Sequence, residues 1–358
     1  MRAVVPTRRE FLAAAGAVCA TSVLSPAVHA SDLPKSGMGL ASNALDMLRA
    51  SQNASGMKPT IADPLEFLKE AHALGAAGGQ TPLGIHDSEY CDQVRRFIGE
   101  RGMYVEASMS LPGDDAAVEK FEQQVLTAKA MGAVLARAVT FPGRRYETFD
   151  SADQYAAAAR HALEMQQRAE PIARKHKFRL AVENHKDQRI SERLQTLKRL
   201  GSEWIGICVD FGNNFALCED PLEVIKAFAQ YGWTSHLKDQ AIREYNDGFL
   251  FADAALGEGF LDLPAMVNVL RAANPQIRFN LEVMTRDPLK VPVFTPKYWA
   301  TMPDVPATEL ARTMRTVKTC SSPHPLMHIT GLSPQQRVDL ELRDVAVSLA
   351  YCRDVLNV

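Results

Sequence analysis

From residue 38 onward, short apolar runs alternate with longer segments in which apolar residues recur at helical spacing. Runs at 38–45, 79–84, 103–111, 133–141, 178–183, 205–211, 234–237 and 277–284 predict strands. Between them, 87–101, 114–131, 151–176, 190–200, 221–230 and 263–273 predict helices. Asp63-Pro64 opens a further helix through residue 74, with proline at an early helical position where its missing N–H costs nothing. The strand runs are nearly continuous in apolar residues, as expected where helices cover a parallel sheet. About eight βα units follow one another without a glycine-rich dinucleotide fingerprint. Gly75 to Gly79 opens a strand instead of following one. The pattern therefore predicts an α/β chain folded as a closed (β/α)8 TIM barrel, and not a doubly wound sheet. Residues 292–306 are proline-rich and are expected to wrap the surface or one rim. Residues 335–356 read as a final amphipathic helix. The 358-residue length suits one barrel with insertions. The expected organisation is a single domain over 31–358, the barrel plus a C-terminal helical extension.

The first thirty residues read differently. Thr7-Arg8-Arg9-Glu10-Phe11-Leu12 is a twin-arginine pattern, an apolar stretch follows to residue 28, and Val28-His29-Ala30 offers small residues before Ser31. Residues 1–30 are expected to be a twin-arginine signal peptide that delivers a folded protein to the periplasm or the exterior. Export after folding lets an oxygen-rich site keep Mn²⁺ against the copper and zinc that bare affinity favours. Removing the signal lowers the formal charge from −2 to −4. With no Lys/Arg-rich run and no later apolar span of membrane length, neither nucleic acid nor a membrane after export is an expected partner. The charge pattern leaves a homo-oligomer open. The mature part keeps five cysteines with no metal-binding spacing. They read as buried small hydrophobes, with a Cys320–Cys352 bridge as the one alternative.

Four polar residues end apolar strand runs: Glu183, Asp210, His236 and Glu282. In a barrel the C-terminal strand ends converge on one face, so residues far apart in sequence meet there. A charged group at such a position is costly to bury unless paired or bound to metal. Three carboxylates and an imidazole suit one divalent cation, Mn²⁺ first and then Mg²⁺, Co²⁺ or Zn²⁺.

The motifs around these residues are Glu183-Asn184-His185, VDFGN at 209–213, HLKD at 236–239, GEGFLD at 257–262 and LEV at 281–283. Together they resemble the xylose isomerase-like barrel superfamily of sugar isomerases and epimerases, which also contains endonuclease IV. The resemblance covers roughly residues 38–320. It implies that Glu183, Asp210, His236 and Glu282 hold one Mn²⁺-like ion. It also implies that Glu183 and Glu282 double as acid/base groups on opposite faces of a substrate. The chain departs from the ketose 3-epimerases after the first glutamate, where it has Asn184-His185-Lys186-Asp187. It departs again in the second strand, where Gln80 stands in the place of a common glutamate.

Further candidates for substrate binding lie beside the strand ends. His185 contacts substrate or is a structural strand-end histidine. Lys238 and Asp239 neutralise an oxyanion and orient a ligand, or form a local salt bridge. Arg137 and Glu106 line the pocket or pair with each other in the barrel centre. His86-Asp87 reads as a helix start, and Gly257–Gly259 as a covering loop or a plain turn. The expected activity is divalent-metal-dependent isomerisation or epimerisation of a sugar or sugar derivative. The expected route is proton transfer α to a carbonyl through a metal-stabilised enediolate. The alternative is a lyase on the same barrel, by β-elimination from a keto-glycoside or by dehydration. A DNA-repair endonuclease fits poorly, since strand-end histidines are few and the charge is negative. A metal-retaining binding protein conflicts with keeping both glutamates.

Overall fold

The computed structural model describes residues 36–54 and 60–358. The twin-arginine segment lies outside the described residues. Eight parallel strands close into a barrel: β1 (Gly39–Ala41), β2 (Gly78–Thr81), β3 (Tyr104–Ser110), β4 (Leu135–Val139), β5 (Arg179–Glu183), β6 (Ile205–Asp210), β7 (Gly232–Leu237) and, after an insertion, β10 (Arg278–Leu281). The insertion contributes β8 (Asp239–Tyr245) and β9 (Gly248–Ala254), and β11 (Leu289–Val291) follows β10. Neighbours run in sequence order from β1 to β7, then β10, which pairs back onto β1 with Gly39 opposite Asn280. β6 is buried at every position, which is why its residues read as one apolar run.

Helix starts are fixed by side-chain caps. Asp63 and Asp220 each accept two backbone N–H groups ahead of a proline, and Asp87 and Ser151 cap the helices Ser88–Arg101 and Ala152–His176. The helix Pro334–Tyr351 packs on β10 and on the helix Asp46–Ala54. Its Glu341 accepts the N–H groups of Met47 and Leu48 at 2.7 and 2.9 Å, so it completes the outer ring at the barrel seam.

Two elements differ from the sequence reading. The first strand is short: after Ala41 the chain turns into a 3₁₀ segment, Ser42–Leu45, that still buries Ala44 and Leu45. A short apolar run does not distinguish the two conformations. Residues 239–254, assigned to no element from the sequence, form the hairpin β8–β9, which β11 extends into a three-stranded antiparallel sheet. This sheet leaves the C-terminal ends of β7 and β10 and roofs one side of the barrel mouth. Beneath it Phe215 meets Phe249 and Phe251 at ring separations of 5.3 and 6.0 Å. Val293, Tyr298 and Met302, from the proline-rich stretch, complete this second apolar core. The five cysteines among the described residues are unpaired; four are buried and Cys320 is exposed, so there is no Cys320–Cys352 bridge.

Candidate metal centre

Glu183 is the last residue of β5, Asp210 the last of β6, His236 the penultimate residue of β7, and Glu282 follows β10 directly. These four strands are consecutive in the barrel. One ligand atom from each residue lies within 4.8 Å of every other, and all four side chains are buried. His236 Nδ1 stands 3.6 Å from Glu183 Oε2, 3.6 Å from Asp210 Oδ2 and 3.4 Å from Glu282 Oε1. These separations are too long for hydrogen bonds and suit atoms that flank a cation at roughly 2.0–2.5 Å each. Glu183 Oε1, Asp210 Oδ1 and His236 Nδ1 are buried without hydrogen-bond partners. A buried cluster of three carboxylates and one imidazole with orphaned donor atoms can hold a metal ion.

The surroundings bias the same point towards positive charge. Burial disfavours a charged imidazole, but Cys208, Glu282 and Glu183 outweigh it and raise the proton affinity of His236 well above normal. Burial raises Glu183, yet Arg137 and His236 reverse this and hold the carboxyl below its ordinary range. Arg137 Nε donates to Glu183 Oε2 at 2.6 Å. Burial likewise raises Glu282, and His236 and Lys238 bring it well down. Lys238 Nζ donates to Glu282 and lies 2.9 Å from Asp210 Oδ2. Asp210 is the exception, since burial pushes it up despite Lys238.

The histidine ring is oriented from below. Its Nε2 lies 2.7 Å from Gln80 Oε1, and Gln80 Nε2 donates to Glu106 Oε2 at 3.1 Å. Because the amide nitrogen is committed to Glu106, the amide oxygen faces the ring. Nε2 of His236 therefore carries a proton, and Nδ1 is the ring nitrogen turned into the cluster. Asn184 staples β5 to β6 by accepting from Asp210 N at 2.8 Å, and Asn43 donates to Glu282 Oε1 at 3.2 Å.

The other expected site residues divide. Arg137 and Lys238 stand at the centre, each on a clustered carboxylate. His185 sits beside it, partly buried, and burial and then Lys186 push its ring down to about 3, so it is neutral. Glu106 is not at the mouth and does not pair with Arg137. It lies one layer deeper, where its Oε2 accepts from Gln80, Thr234 and Asn280. Asp239 is engaged by backbone instead of by the cluster. Its carboxylate accepts the N–H groups of Gln240, Gly257, Gly259 and Leu261 at 2.8–3.1 Å and so fixes the Gly257–Gly259 loop. A Cβ on Gly259 would fall 2.0 Å from Asp239 Oδ1, so this close approach requires glycine. The sequence reading missed Asn43, Lys186 and Arg286. Lys186 and Arg286 carried a usable signal, lying three and four residues beyond the glutamates that end β5 and precede the roof.

An eight-stranded barrel with an acid-and-histidine cluster on consecutive strand ends defines a class of metal-site barrel proteins. The chain belongs to the xylose isomerase-like TIM barrel family, whose family model matches residues 68–314. It is 30% identical over 103 residues to 3-oxo-isoapionate decarboxylase of Pectobacterium atrosepticum, a match spanning 28% of this chain and 38% of that relative. Among solved structures it is similar to a sugar phosphate isomerase/epimerase from Parabacteroides distasonis (TM-score 0.50, 12% identity, 95% of this chain and 99% of the other). It is also similar to a xylose isomerase-like TIM barrel protein from Mycobacterium smegmatis in complex with magnesium (TM-score 0.51, 15% identity, 81% and 99%). A D-tagatose 3-epimerase-like protein gives the same picture (TM-score 0.51, 12% identity, 79% and 98%). At these identities the structural likenesses establish the fold.

Proposed function

We propose that this protein is a metal-dependent isomerase or epimerase of a sugar derivative, with Glu183 and Glu282 as its acid/base pair. The observation that carries this reading is the convergence of two glutamates from β5 and β10 on the same buried point as Asp210 and His236. Glu183, Asp210, His236 and Glu282 would hold one divalent ion, with Mn²⁺ the first choice. When bound, such an ion supplies Lewis-acid polarisation of a carbonyl and its neighbouring hydroxyl. The chain's own groups do the proton work. Arg137 and Lys238 keep the two glutamates ionised, and a carboxylate held ionised near a C–H bond α to a carbonyl can remove its proton. Removal by one glutamate and return by the other inverts the carbon; return to the adjacent carbon moves the carbonyl. Arg137 and Lys238, each beside a clustered carboxylate, would also stabilise negative charge that develops on a substrate oxygen.

A second reading is a lyase or decarboxylase on the same groups, favoured by the local likeness to 3-oxo-isoapionate decarboxylase. Incubating the Mn²⁺-loaded protein with keto-sugars and keto-acids in D₂O separates the two. Deuterium at the carbon α to the carbonyl in an intact product is the expected result, and loss of CO₂, water or an aglycone selects the second reading. No exchange and no product would reject both. We also propose export through the twin-arginine route, from Arg8, Arg9 and the apolar stretch after them. Replacing both arginines by lysine is expected to leave the protein in the cytoplasm, and unchanged delivery would reject that assignment.

A further inference from the structure

Three cations at the mouth are ion-paired. Arg137 lies on Glu183, Lys238 on Asp210 and Glu282, and Arg286 on Asp253 at 3.1 Å. Lys186 makes no ion pair among the described residues. It is 1% exposed, its ammonium donates only to the neutral amide oxygen of Asn213, and it stands 5.8 Å from the centre of the Phe251 ring on β9. An ammonium has three donors, so two are unmatched. Arg286 is also incompletely matched, with its Nε buried and without a hydrogen-bond partner. Asp253 on β9 is already engaged by Gln240 at 2.8 Å and by Arg286. Phe251 and Asp253 lie two residues apart on β9, so Lys186 and Arg286 stand against the same face of one strand. Burial first, and then Lys238 and Arg286, push the Lys186 ammonium down to about 7 against the pull of Asp253 and Asp210.

A buried ammonium without a counter-ion is costly, and a chain keeps one where a ligand supplies the missing charge. We propose that the roofed side of the mouth is a carboxylate subsite, in which Lys186 and Arg286 take the acid group of a sugar-acid substrate. This rests on the sugar-derivative reading above and narrows it. The arithmetic of charge favours a carboxylate. Lys186 and Arg286 over Asp253 leave a single uncompensated positive charge, which one carboxylate neutralises. A phosphate overcompensates it, and a neutral sugar leaves it unmet. The roof supplies the rest of the subsite, since Phe251 covers the ammonium and excludes the water that would otherwise solvate it.

The test is calorimetric binding to the Mn²⁺-loaded protein of ketoaldonates and neutral ketoses matched in chain length, with the ketose phosphates as a third set. The acids are expected to bind about ten- to a hundredfold tighter than the ketoses, the value of one or two charge-assisted hydrogen bonds. Lys186→Met is expected to erase that preference and Lys186→Arg to keep most of it. Arg286→Gln, at a partly exposed position, should halve the preference on a logarithmic scale and serves if Lys186→Met does not fold. Equal binding of acids and ketoses by the wild type, tighter binding of phosphates, or a preference untouched in both Lys186→Met and Arg286→Gln overturns the proposal. Mn²⁺ uptake is followed separately by the loss of the free-ion EPR signal. Failure of the wild type to take up Mn²⁺ removes the metal reading alone, because the acid preference is still measurable on the metal-free protein.

Discussion

Two tiers of buried carboxylate lie one above the other in this barrel, and they are built on opposite principles. In the lower tier Glu106 receives three neutral donors on one oxygen, from Gln80, Thr234 and Asn280. Burial dominates there and raises its carboxyl above the ordinary range. In the upper tier Glu183 and Glu282 face Arg137, Lys238 and His236, and their carboxyls fall below it. The neutral donors on Glu106 favour its ionised form but do not outweigh burial, whereas the cations facing Glu183 and Glu282 do. Residue type and burial are the same in both tiers, so neither identifies a functional group. The partners do.

The comparison breaks first, and furthest, at Glu282. Glu282→Gln keeps an oxygen but removes the base, and turnover is expected to fall by about 10²–10⁴-fold. Excess Mn²⁺ should not restore it, whereas His236→Ala should regain part of its activity with metal. Steady-state kinetics across a Mn²⁺ series decides this, and near-complete rescue of Glu282→Gln would reduce that residue to a ligand. Asp239 comes next as a control outside both tiers. Asp239→Ala strands four backbone N–H groups, and denaturant unfolding should show a loss of about 3 kcal/mol, with turnover per folded molecule little changed. A selective loss of turnover would return Asp239 to the site. Gln80→Leu then cuts the link between the tiers: Mn²⁺ affinity should drop by about 10–100-fold as the ring loses its orienting acceptor. Unaltered affinity would mean that the ring is held by packing alone.

The smallest effect is a difference in pH slope. The folded pKa of Glu106 is raised, so its contribution to stability is complete below the unfolded value of about 4.5 and is lost as pH rises through the folded value. The lowered pKa of Glu183 works the other way, its contribution being present above that range and lost as pH falls below it. Glu106→Gln should therefore unfold within about 1 kcal/mol of the wild type near pH 5 and decline less between pH 5 and 8. Parallel curves would show that Glu106 is ionised after all.

The barrel was legible because each strand is an apolar run framed by helical periodicity, and Glu183, Asp210, His236 and Glu282 were legible because each interrupts or ends such a run. The roof was not, since β8 buries Asp239, Gln240 and Ile242 but exposes the consecutive Arg243 and Glu244 and so looks like a polar loop. Its turn was in plain sight: Tyr245 pairs with Gly248 across Asn246-Asp247, a two-residue connection followed by glycine. Asp239 misled through its place in the HLKD motif, because the chain reverses after Lys238 and turns that carboxylate into the loop. Gln80 carries no charge, and nothing local distinguishes a neutral amide that packs from one that sets a tautomer.

The seam between β1 and β10 also governs timing. Three of the clustered side chains arrive on strands that follow one another closely, whereas the fourth comes just after the strand that shuts the ring against the chain's first strand. Contacts of such long sequence separation form late, after their loop entropy has been met. Glu282 reaches the other three through the pairing of β10 with β7, so an ion that needs all four groups is held firmly only once that last strand has docked across the hairpin insertion.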